Sequence, residues 1–214
     1  MPPDARPFFR SVENEGVCLR TPLDKGSPRC QRTGPMINAR EYKAAETLRS
    51  GQMVTIRAIR PEDRTLLLEE FREIDQHSLY LRFFMRKNEI TDQELKYFTQ
   101  VDFVDHVALV VIADVGDKAK IIGGGRYIAY DRPAKAHSAE VAFMVHDRYQ
   151  GQGVAPLVLK HLLLIARDGG IAKFEAEVLP ENARMLAVFS RAGLPMSVLR
   201  VEDVLRVTLT LSRR

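Results

Sequence analysis

Cysteine is scarce in this sequence. Cys18 and Cys30 are the only two, too few for a structural zinc site and no basis for a disulfide framework. We read them as free thiols without a structural task. Long apolar runs are missing as well. Residues 107–113 (VALVVIA) form one of the longest, far short of the roughly 20 residues a membrane-spanning helix needs. The opening MPPDARPFFR lacks the apolar stretch of a secretory signal. These absences predict a cytoplasmic protein with no membrane partner. Nor does charge of one sign gather anywhere. The formal net charge is +4, with basic residues scattered among acidic ones rather than set in a stripe with interleaved aromatics, so nucleic acid is not an expected partner.

What is present is a chain of 214 residues, 45% hydrophobic, enough for one sizeable core plus an extension. Pro2, Pro3, Pro7, Pro22, Pro28 and Pro35 are six of its eleven prolines. They lie in a segment without a sustained apolar period, so residues 1–37 are expected to form a mobile arm. Residues 38–51 (NAREYKAAETLRSG) combine helix formers with a terminal Gly51 and predict a short lead-in helix. The domain proper is expected over residues 52–214.

Within it, MVTIRAI (53–59) alternates as a strand, and Pro61, Glu62 and Asp63 open a helix with Leu67, Phe71 and Ile74 on one face. SLYLRFF continues as helix. Thr91 and Glu94 form a capping box, with Ile90 placed to staple onto Leu95, for a helix reaching about Gln100. Strands follow around 107–113, 120–130 and 139–145. After them come a glycine turn, a long apolar helix to Asp168, the strand AKFEAEV, a helix from about Asn182 to Ala192, and two closing strands. Gly123, Gly124 and Gly125 mark a bulge or a close backbone approach. No internal repeat is visible. The order predicts a mixed α/β domain.

The stretch DRYQGQGVAPLVLKHLLLIA sets two glycines before a long apolar helix. Such a turn offers unpaired amide hydrogens and the positive end of a helix dipole, which suits a phosphate. A P-loop needs Lys and Ser/Thr after its last glycine, where Val154, Ala155 and Pro156 stand. A Rossmann fingerprint would place Pro156 where the helix must pack tightly on its strand, and five polar residues separate that strand from the first glycine. The pattern Gln/Arg-x-x-Gly-x-Gly/Ala fits, with Gln150, Gly153 and Ala155. Pro156 is tolerated in a first helical turn, where its missing N–H has no partner to lose.

This turn resembles the acyl-CoA-binding signature of the GNAT superfamily of N-acetyltransferases, and the element order matches that family over about residues 52–211. The resemblance implies a central, mostly antiparallel twisted sheet flanked by helices, with a splayed strand pair at the CoA site. It implies acetyl-CoA as acyl donor, with no metal. Gln150, Gly151, Gln152, Gly153, Val154 and Ala155 would wrap the CoA pyrophosphate. Phe143, Met144 and Val145 would pair with pantetheine, and Asn182, also a natural N-cap, would hydrogen-bond the pantetheine arm.

Attack by an amine on a thioester needs a proton removed, since a lysine with pKa about 10.4 is mostly charged at neutral pH. Glu140 is the single charged residue of AEVAFMV, ten positions before Gln150. It shares a face with Ala142 and Met144, where partial burial raises a carboxyl pKa. Lysine acetyltransferases of the superfamily carry a catalytic glutamate there. Where many members place a general-acid tyrosine, this chain has Phe189. His137 and His146 read as ordinary loop histidines. The first half, with VTIRAIRPEDRTLLLEEF and SLYLRFF, is similar to the GNAT domain of bacterial protein lysine acetyltransferases, some of which act on acyl-CoA synthetases. Those proteins often carry a regulatory or synthetase-like domain, and none is read in these residues. The expected activity is acetyl transfer to a primary amine, a protein lysine first. A small-molecule amine acetyltransferase and a non-catalytic acyl-CoA sensor stay open, as does the oligomeric state.

Overall fold

The computed structural model describes residues 37–84, 89–116, 118–130 and 137–211. Among these residues eight strands form one sheet in the order β1-β2-β3-β4-β5-β6-β8-β7. They are β1 (Lys43–Thr47), β2 (Met53–Ala58), β3 (His106–Val115), β4 (Lys118–Tyr130), β5 (Ser138–Val145), β6 (Lys173–Val178), β7 (Met196–Val201) and β8 (Val204–Thr210). Every neighbouring pair is antiparallel except β5–β6. Helices α1 (Arg64–Glu73), α2 (Gln76–Phe83), α3 (Asp92–Thr99), α4 (Val154–Asp168) and α5 (Ala183–Ser190) complete the described body. None of them is long and apolar enough to cross a membrane.

The helices divide between the two faces. On one, Leu109, Val111, Tyr127, Val141 and Phe143 bury against Val158, Leu162 and Ile165 of α4. On the other, Ala108 and Val110 pack with Ile59 and Leu67, while Met144 joins Phe71, Ile74, Leu79 and Ile90. Strand alternation alone sends Val141 and Phe143 one way and Glu140, Ala142 and Met144 the other. The capping box on α3 is formed, with Thr91 accepting from the Glu94 amide and Glu94 accepting from the Thr91 amide.

The lead-in helix expected over residues 38–51 is not formed. Asn38 caps only one 3-10 turn, Ala39–Glu41. Residues 43–47 then run as β1, paired rung for rung with Arg57 back to Met53. Helix propensity is a weak preference that tertiary pairing overrides, and here the free edge of β2 supplies that pairing. Gly51 lies in the hairpin turn at φ +88 rather than at a helix end. The body thus begins ahead of residue 52, with β1 part of the sheet. The arm expected over residues 1–37 lies outside the described residues except for Ile37, whose amide donates to Asp168.

The triple glycine of β4 is a site of close approach, with a register shift opposite Val111 and Ile112. A Cβ on Gly123 would stand 2.9 Å from Val154 Cγ1, and one on Gly125 would stand 2.8 Å from Val158 Cγ1. Their bare backbone lets the first turns of α4 settle on the sheet, which fixes where the glycine turn ends.

Candidate active site

The turn before α4 presents free donors. Gly151 and Gly153 take φ +78 and +98, values L side chains rarely adopt. The carbonyls of Gly151 and Gln152 are taken up by the β1–β2 hairpin, through Arg49 Nη1 at 3.4 Å and the Arg49 amide at 3.0 Å. The amide hydrogens of Gly151, Gly153, Val154 and Ala155 donate to no carbonyl among the described residues. Three of them sit at the start of a 15-residue helix, where a dipole favours an anion. Pro156 falls in the first turn, as expected.

The amides of Gln150 and Gln152 are instead engaged within the turn, by Asp147 and Tyr149 carbonyls. The Gln150 side chain also points inward. Its Nε2 donates to Val145 O at 3.3 Å, Ser78 Oγ at 3.0 Å and Asp147 Oδ1 at 2.9 Å, and its Oε1 accepts from Arg184 Nη1 at 2.5 Å. One glutamine thereby joins the end of β5, α2 and α5 around the turn. Asp147 extends the junction by accepting from the Asp75 amide at the N-cap of α2. Asn182 caps α5, accepting from the Met185 amide at 3.1 Å.

Beside the turn the sheet opens. The parallel β5–β6 ladder has three rungs, Ser138–Lys173, Ala139–Phe174 and Glu140–Glu175, and goes no further. Beyond it, β5 continues to Val145 on β4 and β6 continues to Val178 on β8. The two strands diverge, which leaves the edge of β5 over Val141–Val145 without a strand partner on that side among the described residues. A wedge of that kind accepts an extended ligand with amide groups, as a further strand would be accepted. Phe143, Met144 and Val145, expected to pair with pantetheine, lie on this edge.

Glu140 stands at the apex of the wedge, half-buried. Burial pushes its carboxyl pKa up. The Glu177 carboxylate adds to the rise, Arg82 opposes it, and Glu175 adds a smaller share. Glu140, Glu175 and Glu177 share one face, since residues on one rung of a ladder point the same way. Three carboxylates around the apex suit a cationic acceptor. Phe189 is 1% exposed and packs edge-on against Phe143, with ring centroids 6.0 Å apart. It offers no proton.

Behind Ala142 and Met144 lies a cavity of about 100 Å³ between the sheet and α1–α3. Its lining is largely apolar, with Glu70, Arg82 and Arg126 as the charged members. Glu70 is 7% exposed and its Oε1 is buried without a hydrogen-bond partner among the described residues. Burial, helped by Glu73, raises its pKa to about 8, so this carboxyl is mostly neutral at pH 7. Sequence reasoning missed Arg82, Arg126 and Glu70, because each lies on a different element from Glu140 and no local pattern marks it. His146, read as a loop histidine, is buried, and its Nδ1 accepts from the Arg148 amide.

Residues 53–195 match the acetyltransferase (GNAT) domain family. Acetyltransferase Pat of Mycolicibacterium smegmatis is 31% identical over 146 residues, covering 68% of this chain and 42% of that protein. The chain therefore spans less than half the length of that relative. Among solved structures, the GNAT domain of S. lividans PAT has TM-score 0.71 at 34% identity, over 79% of this chain and 97% of that one. A cAMP-binding acyltransferase from Mycobacterium smegmatis has TM-score 0.54 at 26% identity, over 81% of this chain and 48% of that one. The free amides, the three-rung ladder and these likenesses agree, and the chain belongs to the GNAT acetyltransferase family, whose acyl donor is acetyl-CoA.

Proposed function

We propose that this protein transfers acetyl from acetyl-CoA to a lysine side chain of a protein, by direct attack in a ternary complex with Glu140 as general base. The observation that carries this reading is the place of Glu140, half-buried at the last rung before β5 and β6 part. The resemblance to bacterial protein lysine acetyltransferases makes a protein lysine the first acceptor to test, and an acyl-CoA synthetase a candidate bearer of it.

Acetyl-CoA supplies an acyl carbon already activated as a thioester. The amides of Gly151, Gly153, Val154 and Ala155 hold the pyrophosphate, while Gln150 and Gln152 shape the turn that presents them. The open edge at Phe143, Met144 and Val145 receives the pantetheine amides, and Asn182 hydrogen-bonds the same arm. Glu175 and Glu177 draw in the lysine ammonium, and Glu140 takes the proton that must leave before nitrogen can attack. Its raised pKa makes it a better proton acceptor than an ordinary surface carboxylate. Cys18 and Cys30 precede the domain in sequence, which supports direct attack over an acyl-cysteine. Phe189 has no proton to give, so the thiolate departs unassisted or takes a proton from solvent or another group.

Incubating the protein with labelled acetyl-CoA and a host lysate, then locating the label by peptide mass spectrometry, tests the acceptor. Label on lysine Nζ of discrete proteins is expected. Label confined to small amines would replace the protein substrate with a metabolite, and release of no labelled product would leave an acyl-CoA-binding protein without turnover.

A further inference from the structure

The cavity beside the wedge holds a positive charge that no carboxylate among the described residues pairs with. Arg126 of β4 stands opposite Ala142 of β5. Its guanidinium carbon lies 4.5 Å from the Phe98 ring centroid, and Nη1 lies 3.3 Å from His106 Nε2. Neither neighbour is an anion. Burial and the adjacent Arg126 push the His106 pKa down to about 4, so its imidazole is neutral at pH 7. Among the described residues no carboxylate pairs with Arg126. Arg82 lines the same cavity and adds repulsion. Glu140 attracts Arg82. A guanidinium stays charged in such a place, and a half-buried charge without a counterion is costly until an anion joins it.

The register indicates where that anion comes from. Ala142 lies two residues beyond Glu140 on β5, and its small side chain faces the cavity. Arg126 is rooted one strand away, roughly 4.8 Å. An acyl group presented at the open edge of β5 therefore extends over Ala142 toward the guanidinium. The cavity, about 100 Å³, is several times the share of one liquid water, about 30 Å³, so it has room for more than a methyl group. The intervening wall is apolar and suits methylenes.

We infer that the site also accepts acyl-CoA donors whose acyl chain ends in a carboxylate, of the succinyl-CoA class, with Arg126 as the partner of that carboxylate. The inference rests on the reading of the β5–β6 wedge as the acyl-CoA site. The reaction keeps the form proposed for acetyl. The amine nitrogen bonds to the thioester carbon, its proton goes to Glu140, the C–S bond breaks, and CoA leaves as thiolate while the distal carboxylate stays unchanged on Arg126.

Calorimetric titration of the full chain with acetyl-CoA, butyryl-CoA and succinyl-CoA at physiological salt tests this without an identified acceptor. Butyryl-CoA matches the chain length and lacks the charge. Succinyl-CoA should bind at least about tenfold tighter than butyryl-CoA, the size of effect a charged hydrogen bond gives. In Arg126→Gln that ratio should fall toward one, and in Arg126→Lys it should be partly kept. Equal or weaker binding of succinyl-CoA by the wild type overturns the inference, and so does an unchanged ratio in folded Arg126→Gln. If the glutamine variant does not fold, the wild-type ratio and the lysine variant decide. Binding of acetyl-CoA with no preference for succinyl-CoA removes this inference alone, whereas binding of none of the three removes the acyl-CoA reading with it.

Discussion

Glu140 faces Glu175 across the last rung of the β5–β6 ladder, and the strands part immediately beyond that pair. The relationship places a half-buried carboxyl where the backbone edge of β5 becomes free. It also sets a second carboxylate beside the first, so ionisation of Glu140 is opposed by burial, by Glu177 and by Glu175, with Arg82 acting the other way. Position and electrostatics thus come from the same feature of the sheet.

The turn is tested at Gly153. Its φ of +98 strains any L side chain, and a glutamate there adds a negative charge beside the amides of Val154 and Ala155. Gly153→Glu should lose CoA binding by more than about a hundredfold in calorimetry, as strain and phosphate repulsion act together. Unchanged CoA affinity in a folded variant would move the pyrophosphate elsewhere.

Asn182 has two roles that separate by substitution. Serine is also a good N-cap, so Asn182→Ser should keep thermal stability while losing the amide donor proposed for pantetheine. Its CoA affinity should fall about two- to tenfold, the worth of one hydrogen bond. Asn182→Ala should lose both, with stability down by about 1 kcal/mol. Unaltered CoA affinity in the serine variant would leave Asn182 as a cap alone.

Glu70 carries a pH dependence of stability. Its folded pKa of about 8 stands above the ordinary value of 4.5, so over that range the folded state holds a proton the unfolded state releases. Its favourable share is full below about pH 4.5 and is lost as pH rises toward 8. Glu70→Gln removes that loss. The variant should melt above the wild type at pH 7–8, by on the order of 2 kcal/mol, and the gain should vanish near pH 4.5. A gain independent of pH, or none at pH 7–8, would contradict this account of Glu70.

The parts of the site legible in the sequence are local ones. The Gln150–Ala155 turn, Pro156 in the first turn of α4, the Thr91–Glu94 box and the alternation that sets Glu140 apart from Val141 each need only a few consecutive residues. What sequence did not show depends on distant partners. Lys43–Thr47 has a helical composition and became β1 because β2 offered an unpaired edge. The inward turn of the Gln150 side chain depends on Ser78 from α2 and Arg184 from α5. Arg126 gains its importance from the β4–β5 register that sets it opposite Ala142, and no spacing within β4 announces that.

The most direct measurement of the central claim is the pH profile of kcat/KM for acetyl transfer to a lysine acceptor identified from labelled lysate, for wild type and Glu140→Gln at saturating acetyl-CoA. The wild type should show an acid limb above the ordinary carboxylate range, because the Glu140 pKa is raised. The variant should bind acetyl-CoA nearly as before, lose about 10² to 10⁴ in rate at neutral pH, lack that limb, and recover partly as rising pH frees the amine. Wild-type turnover and an unchanged profile in the folded, acetyl-CoA-saturated variant would contradict the account and make Glu140 an ordinary strand carboxylate.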